Sequence, residues 1–538
     1  MTAADPTVLV GAADAVDVAQ RLVDRACGAV RSRGGIDANQ VVAYDLAHAA
    51  AAVATAGAAL RYGEWGDVEA AIASAFVADV VADLCGKVAG REALWGVESG
   101  WDAPVAGFLR AQRDPAVLAG LATTEGPRHL GEDFELVRAT FHRFAEDKVR
   151  PHAEHVHRAN ADIPEEVIEG LAELGGFGLS VPEEYGGFAS GGESDYMGMV
   201  VATEELSWGS LGVGGSLITR PEILTRALVY GGTEEQKKHW LPRLASAEVM
   251  AAVAVTEPDF GSDVAGIVTS ATPVTGGWVI NGVKTWCTFA ARADVLMLLA
   301  RTDPDRSLAH RGISMFVVEK PQGDGHGFVF TQTGHEAPDR PTDLAPGRLE
   351  GRPIDTLGYR GMHSYELAFE NWFVPEANLV GGPDGLGKGF YIQMQGFENG
   401  RLQTAARALG VMQAAYEAAS SYAAERNVFG APIMEYQLTQ AKLGRMTVLI
   451  QATRQSSYHV ARLMARGEGT LEASMVKAYV CRAAEWVTRE AMQIHGGMGY
   501  AEEFPVSRYF VDARVLSIFE GADETLALKV IARRLIGD

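Results

Sequence analysis

One carboxylate near the end of the sequence has the surroundings that a general base requires. Glu520 follows two apolar residues and precedes Gly521, at the start of a predicted helix. Partial removal from water makes a carboxylate a better proton acceptor. Alternatively, the acidic residues here simply favour a helix N-terminus, which accounts for Asp523 but leaves Glu520 outside the helix. We therefore take Glu520 as the candidate catalytic base.

A turn between residues 255 and 263 combines hydroxyl groups with backbone N–H groups. Val255 ends a predicted strand, and Thr256 and Ser262 place a hydroxyl near each end of the turn. Pro258 and Gly261 are typical turn residues. Such a turn can bind a polar ring edge or an oxygen-rich chain. An ordinary hairpin turn has the same pattern, so this segment alone leaves both interpretations open.

The next segment, residues 280–288, carries an aromatic ring near a hydroxyl group. Asn281-Gly282 predicts a type I′ hairpin between two strands. Trp286 and Thr288 are two residues apart, which predicts that they project from the same face of a strand. A flat indole beside a hydroxyl suits packing on a planar heterocycle. A Trp in a strand is, however, more often a core residue.

The elements that must position these residues alternate in type along the chain. Ala-rich helical periods interrupted by glycines occupy the first part. Further helical periods, then short β-rich segments separated by turns, then long helices follow. We therefore predict an α+β fold with a helical N-terminal extension (1–125), a helical domain (126–248), a central antiparallel β domain (249–385) and a C-terminal helical bundle (386–538).

Composition restricts the partners and the compartment. The 538 residues carry a formal net charge of −22, which disfavours nucleic acid and anionic membrane surfaces as partners. The four cysteines are scattered, without the spacing of a zinc site, and this predicts no bound metal and a reducing compartment. The Ala-rich stretch 41–60 contains Tyr44, Asp45 and His48, so we interpret it as a packed helix. We expect a cytoplasmic protein without membrane insertion.

In this order, the segments resemble the acyl-CoA dehydrogenase family over about residues 133–538. The resemblance is carried by five motifs: Val255 to Pro258 with Gly261 to Asp263, Asn281 to Thr288, Glu425 to Gly430 with Gln437, Gln493 to Gly499, and Ile518 to Gly521. It implies the fold predicted above and an enzyme that contains FAD.

The resemblance also implies which residues contact FAD. Thr256 and Thr288 would bond to the flavin ring, with Thr288 at N5, and Trp286 would pack against it. The remaining contacts that it implies are Val255, Ser262, Cys287, Ala522 and Glu524 in the same subunit's motifs, Arg426, Phe429 and Gln437 toward the adenosine diphosphate half of a neighbouring subunit's FAD, and Gln493, Gly496 and Gly497 beside them. A homodimer or homotetramer is therefore expected.

An acyl-CoA thioester is the substrate that the resemblance implies. Ser262, Glu398, Arg401 and Gly521 would contact it. Glu520 would take the α-proton while a hydride leaves the β-carbon for flavin N5, with the Glu520 N–H among the donors that stabilise the developing enolate. Some members carry the base just before the residue that matches Arg401, but Gly400 stands there in this sequence.

Three alternatives for the function remain open. The acceptor of the electrons is expected to be an electron-transfer flavoprotein, but an acyl-CoA oxidase that uses O₂ has the same motifs. The substrate is expected to be short and branched, although another short-chain or branched acyl-CoA is compatible with the motifs. A non-catalytic scaffold that binds flavin or CoA is the alternative from a different class, and the intact Glu520, Thr288 and Trp286 disfavour it.

The C-terminal motif departs from the family pattern in two places. The usual Gly-Thr-Ser or Gly-Thr-Ala is replaced by Gly521-Ala522-Asp523, so Ala522 lacks the hydroxyl that would contact FAD. Phe519 replaces the Tyr that commonly precedes the base, which makes the surroundings of the thioester less polar.

Arg220 is the candidate partner for a charged acyl group. If the acyl chain ends in a carboxylate, its pocket must supply a cation or several donors, because burying an unpaired charge is costly. Arg220 precedes Pro221 at the start of a helix that lines the acyl cavity in the family. A surface arginine at a helix start is the alternative interpretation. Arg360 and Tyr365 are the second choices.

Overall fold

The computed structural model describes residues 6–324, 326–337 and 339–537. The chain divides into two compact units. One comprises the residues up to Val137 together with those from Arg401 onward, and the other comprises residues 138–400. The predicted order of helical, β and helical parts is confirmed. The boundaries between the four predicted domains remain a prediction.

Long helices build the first unit. Its first part contains α1 (Pro6–Ser32), α2 (Gly35–Ala38), α3 (Gln40–Gly63), α4 (Asp67–Val88), α5 (Ala106–Gln112) and α6 (Pro115–Gly120). The chain passes into the second unit within α7 (Glu132–Phe144), which a π-helical turn joins to α8 (Arg150–Ala159). The second unit continues with α9 (Glu165–Glu173), α10 (Glu193–Gly209), α11 (Thr219–Gly231) and α12 (Glu234–Ala245).

Eight strands of the second unit form one sheet: β1 (Ala251–Ala254), β2 (Ser270–Val274), β3 (Gly277–Thr288), β4 (Val295–Arg301), β5 (Ile313–Glu319), β6 (Phe328–Gln332), β7 (Gly347–Ile354) and β8 (Ser364–Pro375). Their order is β1-β4-β2-β3-β8-β7-β6, and β5 pairs with β4. Most pairs are antiparallel, as predicted, but β4 runs parallel to β1 and meets β2 in parallel. The β2–β3 hairpin lies between β1 and β4 in the sequence, and a parallel pair needs such a long connection.

The chain returns to the first unit within α13 (Gly389–Glu425). The short strands β9 (Asn427–Val428) and β10 (Ala431–Pro432) follow. The helices α14 (Gln437–Ala465), α15 (Thr470–His495), α16 (Pro505–Val515), α17 (Asp523–Thr525) and α18 (Arg533–Ile536) complete the unit, with a π-helical segment at Leu526–Ala532.

Helix α3 occupies the core of the first unit. It packs against α1 and α4 of the extension and against α14 and α15. Ala43, Leu46, Ala47 and Ala51 are fully buried, and small side chains of this kind allow helices to approach closely. The helix is long and apolar enough to cross a membrane, but 72% of its most apolar window is buried inside the protein. Such burial is typical of a core helix, as predicted.

The predicted hairpin at Asn281-Gly282 is wrong. Both residues lie inside β3, where the pairing with β8 shifts between Ile280 and Gly282. Gly282 has φ +145°, and a Cβ there would lie 2.6 Å from Thr269 Oγ1. The missing side chain at Gly282 therefore permits a β-bulge in β3 and the close approach of the segment that contains Thr269. The β2–β3 hairpin turn lies a few residues earlier, at Thr275 and Gly276.

Candidate active site

Glu520 lies in a strained turn immediately before α17. Its φ is +52°, in the left-handed region, and that of Gly521 is +103°. A non-glycine residue in this region costs about 1–3 kcal/mol and persists only where its surroundings hold it. Trp286 and Phe429, two further predicted site residues, also have positive φ. Strain of this kind is typical of functional positions.

The Glu520 carboxylate is bound by side chains of α13. Arg407 Nη2 donates to both carboxylate oxygens at 2.9 Å, and Thr404 Oγ1 donates to Oε2 at 2.8 Å. The side chain of Arg407 is 0% exposed and that of Glu520 is 7% exposed. A guanidinium in this position favours the ionised carboxylate, which is the form that a base requires.

Phe519, which replaces the Tyr common in the family, contacts the arginine that binds Glu520. The Arg407 guanidinium carbon lies 4.9 Å from the centre of the Phe519 ring, a cation–π contact. The aromatic face thus packs against the cation that binds the base. Sequence reasoning anticipated the apolar surroundings of Glu520 but missed Arg407 and Thr404. The available signal was the group of polar residues at 403, 404 and 407 within an Ala-rich helix, all of which are fully buried.

Helix α15 contributes two further polar contacts near the base. The buried Lys477 donates from Nζ to the Gly521 carbonyl oxygen at 2.6 Å. Burial lowers the pKa of Lys477 below its ordinary value. One turn earlier, Ser474 Oγ accepts from Arg401 Nη1 at 3.1 Å. Arg401, predicted as a substrate contact, is therefore a buried residue whose guanidinium bonds to α15.

In the second unit, the structure brings two of the predicted flavin contacts together. The Thr285 N–H donates to the Thr256 carbonyl oxygen at 2.8 Å, so Thr256 lies beside the segment that carries Trp286. The Trp286 side chain is 57% exposed. A register shift between Lys284 and Cys287 interrupts the strand here. The two-residue alternation behind the predicted common face of Trp286 and Thr288 is therefore broken at this position.

A buried ion pair fixes the turn that follows Val255. Lys284 Nζ donates to Glu257 Oε1 at 2.8 Å and to the Val255 carbonyl oxygen at 3.0 Å. The backbone N–H groups of Val268 and Thr269 also donate to Glu257. Burial raises the pKa of Glu257, but Lys284 and these hydrogen bonds outweigh it, so the pKa lies below its ordinary value. Glu257 therefore stabilises the conformation of the turn.

Thr288 and its neighbours form the buried end of β3. Thr288 Oγ1 and Ser364 Oγ are 3.1 Å apart in a hydrogen bond, and both residues are buried. Burial raises the pKa of Cys287 to about 12, so this thiol stays protonated and is no nucleophile. Ser262, in the turn after β1, is exposed. Hydroxyl groups near an exposed indole suit the polar edge and the flat face of an isoalloxazine ring.

The residues predicted to reach a neighbouring subunit are directed to the surface of this chain. Phe429 stands at the tip of the β9–β10 turn and is 98% exposed. Arg426 and Gln437, on either side of the turn, are exposed as well. Gln493, Gly496 and Gly497 are also exposed, at the C-terminal end of α15.

The three remaining predicted contacts differ in burial. Ala522 and Glu398 are half-buried. Glu524, on α17, is exposed. The roles of these three residues as cofactor or substrate contacts remain predictions.

Arg220 is buried, which contradicts the interpretation as a surface arginine. It is 7% exposed and lies in the first turn of α11, and its Nη2 donates to Tyr359 Oη at 3.1 Å. The second choices are placed differently. Arg360 donates from Nη1 to the His157 carbonyl oxygen at 2.7 Å. Tyr365 lines a cavity of about 280 Å³ in the second unit.

Three family models match the chain. The N-terminal, middle and C-terminal domains of acyl-CoA dehydrogenases match residues 131–248, 252–351 and 387–536, respectively. The chain belongs to the acyl-CoA dehydrogenase family. It is an oxidoreductase that acts on a CH–CH group, and its cofactor is FAD, on which the family depends.

Among individual proteins, the chain is 42% identical to the (2S)-methylsuccinyl-CoA dehydrogenase of Cereibacter sphaeroides, over 88% of this chain and 85% of that protein. A solved structure of glutaryl-coenzyme A dehydrogenase with glutaryl-CoA matches with a TM-score of 0.67 at 30% identity, covering 76% of this chain and 96% of the other. A glutaryl-CoA dehydrogenase from Mycobacterium smegmatis in complex with FADH2 matches with a TM-score of 0.65 at 27% identity, over 76% and 96% of the two chains.

Proposed function

We propose that this acyl-CoA dehydrogenase oxidises (2S)-methylsuccinyl-CoA to mesaconyl-CoA. The similarity to the Cereibacter enzyme carries this proposal, because it reaches beyond the family core. The family models begin at residue 131, so a match over 88% of the chain must extend into the N-terminal extension. A second support is the buried Arg220, since methylsuccinyl-CoA carries a carboxylate close to the reacting carbons.

Glu520 is the proposed base for the α-proton. Its carboxylate lies against the buried guanidinium of Arg407 and is largely shielded from water, which strengthens its interactions. A carboxylate has about four lone-pair sites, so Oε1 can accept the proton while Thr404 keeps its bond to Oε2. The Glu520 N–H is the proposed donor to the thioester carbonyl, where charge develops as the proton leaves.

FAD, when bound, supplies the acceptor for the hydride from the β-carbon. Thr256, Thr288 and Trp286 are the residues proposed to hold its ring. The exposed residues Arg426, Phe429 and Gln437 are proposed to hold the adenosine diphosphate half in a neighbouring subunit, because an aromatic side chain that is 98% exposed has little role within its own chain. The protein would then act as a homodimer or homotetramer.

Arg220 is the proposed partner of the substrate carboxylate. A guanidinium can bind a carboxylate through two parallel hydrogen bonds, which gives both charge compensation and orientation. The hydroxyl of Tyr359 holds Nη2 from one side.

The test compares methylsuccinyl-CoA with the neutral 2-methylbutyryl-CoA, in the wild type and in Arg220→Met. Loss of one partner of a buried charge pair costs about 2–5 kcal/mol, so kcat/KM for methylsuccinyl-CoA should fall about 30-fold or more. The loss with 2-methylbutyryl-CoA should be much smaller. Arg360→Met is the matched variant, because Arg360 is bonded to a backbone carbonyl. An equal loss with both substrates in Arg220→Met would remove Arg220 from the site, and a wild type that prefers neutral substrates would contradict the dicarboxylic assignment.

The proposed electron acceptor is an electron-transfer flavoprotein, and the proposed location is the cytoplasm. Anaerobic reduction of the bound FAD by the substrate, followed by reoxidation with either electron-transfer flavoprotein or O₂, distinguishes the dehydrogenase from an oxidase. We expect rapid reoxidation only by the flavoprotein. Full turnover with O₂ alone would contradict the proposal.

A further inference from the structure

The N-terminal extension contacts the segment that carries Glu520. Asp523 lies three residues after Glu520, and its Oδ2 accepts a hydrogen bond from Tyr44 Oη at 2.5 Å. The same oxygen lies 3.2 Å from His48 Nε2. Tyr44 and His48 are one turn apart on α3, so they share a face of that helix. Both extension side chains therefore converge on one carboxylate oxygen.

These contacts are shielded from solvent. The side chain of His48 is 6% exposed and that of Asp523 is 14% exposed. Hydrogen bonds to an ionised group are about twice as strong as neutral ones, and burial of a carboxylate without partners would be costly. Burial raises the pKa of Asp523, but His48 and Tyr44 outweigh it and keep the pKa below its ordinary value.

Asp523 also closes the turn that contains the base. Its backbone N–H donates to the Ser517 carbonyl oxygen at 3.1 Å, across the residues that include Glu520. Inside this loop, Gly521 receives the bond from Lys477. The left-handed φ of Glu520 requires external support. The contacts of α3 with Asp523 therefore hold one end of the loop 517–523, which contains the strained residue Glu520.

A second contact holds the other end of the C-terminal segment. Arg31, on α1, donates from Nε to the Ile536 carbonyl oxygen at 2.8 Å. Helix α3 also packs along the π-helical segment between Asp523 and Ile536. The extension thus contacts this segment at its start, along its length and at its end.

We propose that the extension positions the catalytic base, with Tyr44, His48 and Asp523 as positioning residues. They fix the start of α17 and thereby the backbone of Glu520. The two donors that bind Asp523 both come from the extension. The proposal rests on the assignment of Glu520 as the base.

The experiment measures anaerobic reduction of the bound FAD by the acyl-CoA substrate, in the full-length holoenzyme. Tyr44→Phe combined with His48→Leu removes both donors. Small displacements of a reacting group can cost up to about 10²-fold in rate, so we expect the reduction rate to fall about 10-fold or more. The apparent affinity for substrate and the FAD content should change by less than about 3-fold, because the substrate does not contact Tyr44 or His48.

Two further variants separate positioning from general stability. Tyr44→Phe with His48→Gln keeps one donor, and it should recover part of the rate. Tyr62→Phe is the matched control on α3, because its buried hydroxyl has no hydrogen-bond partner in the part of the chain that the structure describes. This control should reduce FAD at the wild-type rate.

The pH dependence adds a readout that loss of stability would not move. Displacement of Glu520 relative to Arg407 should shift the acid limb of the rate–pH profile in the variant without donors. A wild-type rate in that variant, or the same loss in Tyr62→Phe, would overturn the proposal. If the double variant fails to fold, Tyr44→Phe alone decides in the same way. Glu520→Gln is measured in the same experiment. Activity in that variant would show that the base is another residue, which distinguishes an error in the assignment of Glu520 from an error in this proposal.

Discussion

Replacement of Glu520 by Gln tests both the base and the ion pair that holds it. The amide keeps the shape of the side chain but cannot accept the α-proton. Turnover should therefore fall by about 10²-fold or more, while FAD remains bound. The structure adds an effect on stability, because Arg407 is completely buried and loses its ionised partner.

The size of that effect follows from the contacts. Breaking a buried ion pair on one side costs about 3–5 kcal/mol. The Gln carbonyl oxygen can still accept from Arg407 or Thr404, so we expect the lower end, about 3 kcal/mol. Arg407→Met should destabilise the protein by a similar amount. The double variant Arg407→Met/Glu520→Gln should be more stable than either single variant, since it leaves no buried charge uncompensated.

The assay combines anaerobic FAD reduction with denaturant unfolding followed by circular dichroism. Glu248→Gln is the control for stability. It weakens a contact of 2.8 Å with Arg243, in which the two side chains are 62% and 32% exposed, and should cost less than about 1 kcal/mol. If the turnover rate of Glu520→Gln lies within about 10-fold of the wild-type rate, the assignment of Glu520 as the base is refuted. Unfolding midpoints that fall additively in the double variant would refute the coupling to Arg407.

Three further predictions concern assembly, pH and the sheet. Arg426→Ala should lower FAD retention and self-association together, measured by flavin absorbance and light scattering, and a fully active monomer would contradict the neighbouring-subunit assignment. Asp523 has a pKa below its ordinary value of 3.8, so its contacts stabilise the fold above that pH and lose this contribution as the pH falls through the lowered value. Asp523→Asn should therefore be less stable than the wild type at pH 7, with the difference shrinking in acid, and a constant difference would exclude this linkage. Gly282→Ala should destabilise the protein by more than about 1 kcal/mol, because φ is +145° and Thr269 is too close, whereas Gly28→Ala in α1, with open space around it, should not. Equal midpoints for the two variants would show that the bulge tolerates a side chain.

Elements whose signals lie within a short stretch of sequence could be predicted from the sequence. Long helices were predicted after the β-rich segments, and α13 (Gly389–Glu425) lies there in the structure. The order of helices and strands could be predicted because each element depends on residues that are close together in the sequence. The same is true of the family motifs. Glu520 was predicted as the base from its apolar neighbours, and the structure places its side chain in nearly complete burial.

Contacts between residues that are distant in the sequence could be recognised only in the folded structure. Asn281-Gly282 has the composition of a hairpin turn, but the pairing of β3 with β8 makes it a bulge. Arg407 and Glu520 are 113 residues apart, and no local pattern relates them. Tyr44 and His48 were visible only as polar residues in an apolar stretch. Their partner, Asp523, is more than 470 residues away, and only the packing of α3 brings them to the same carboxylate oxygen.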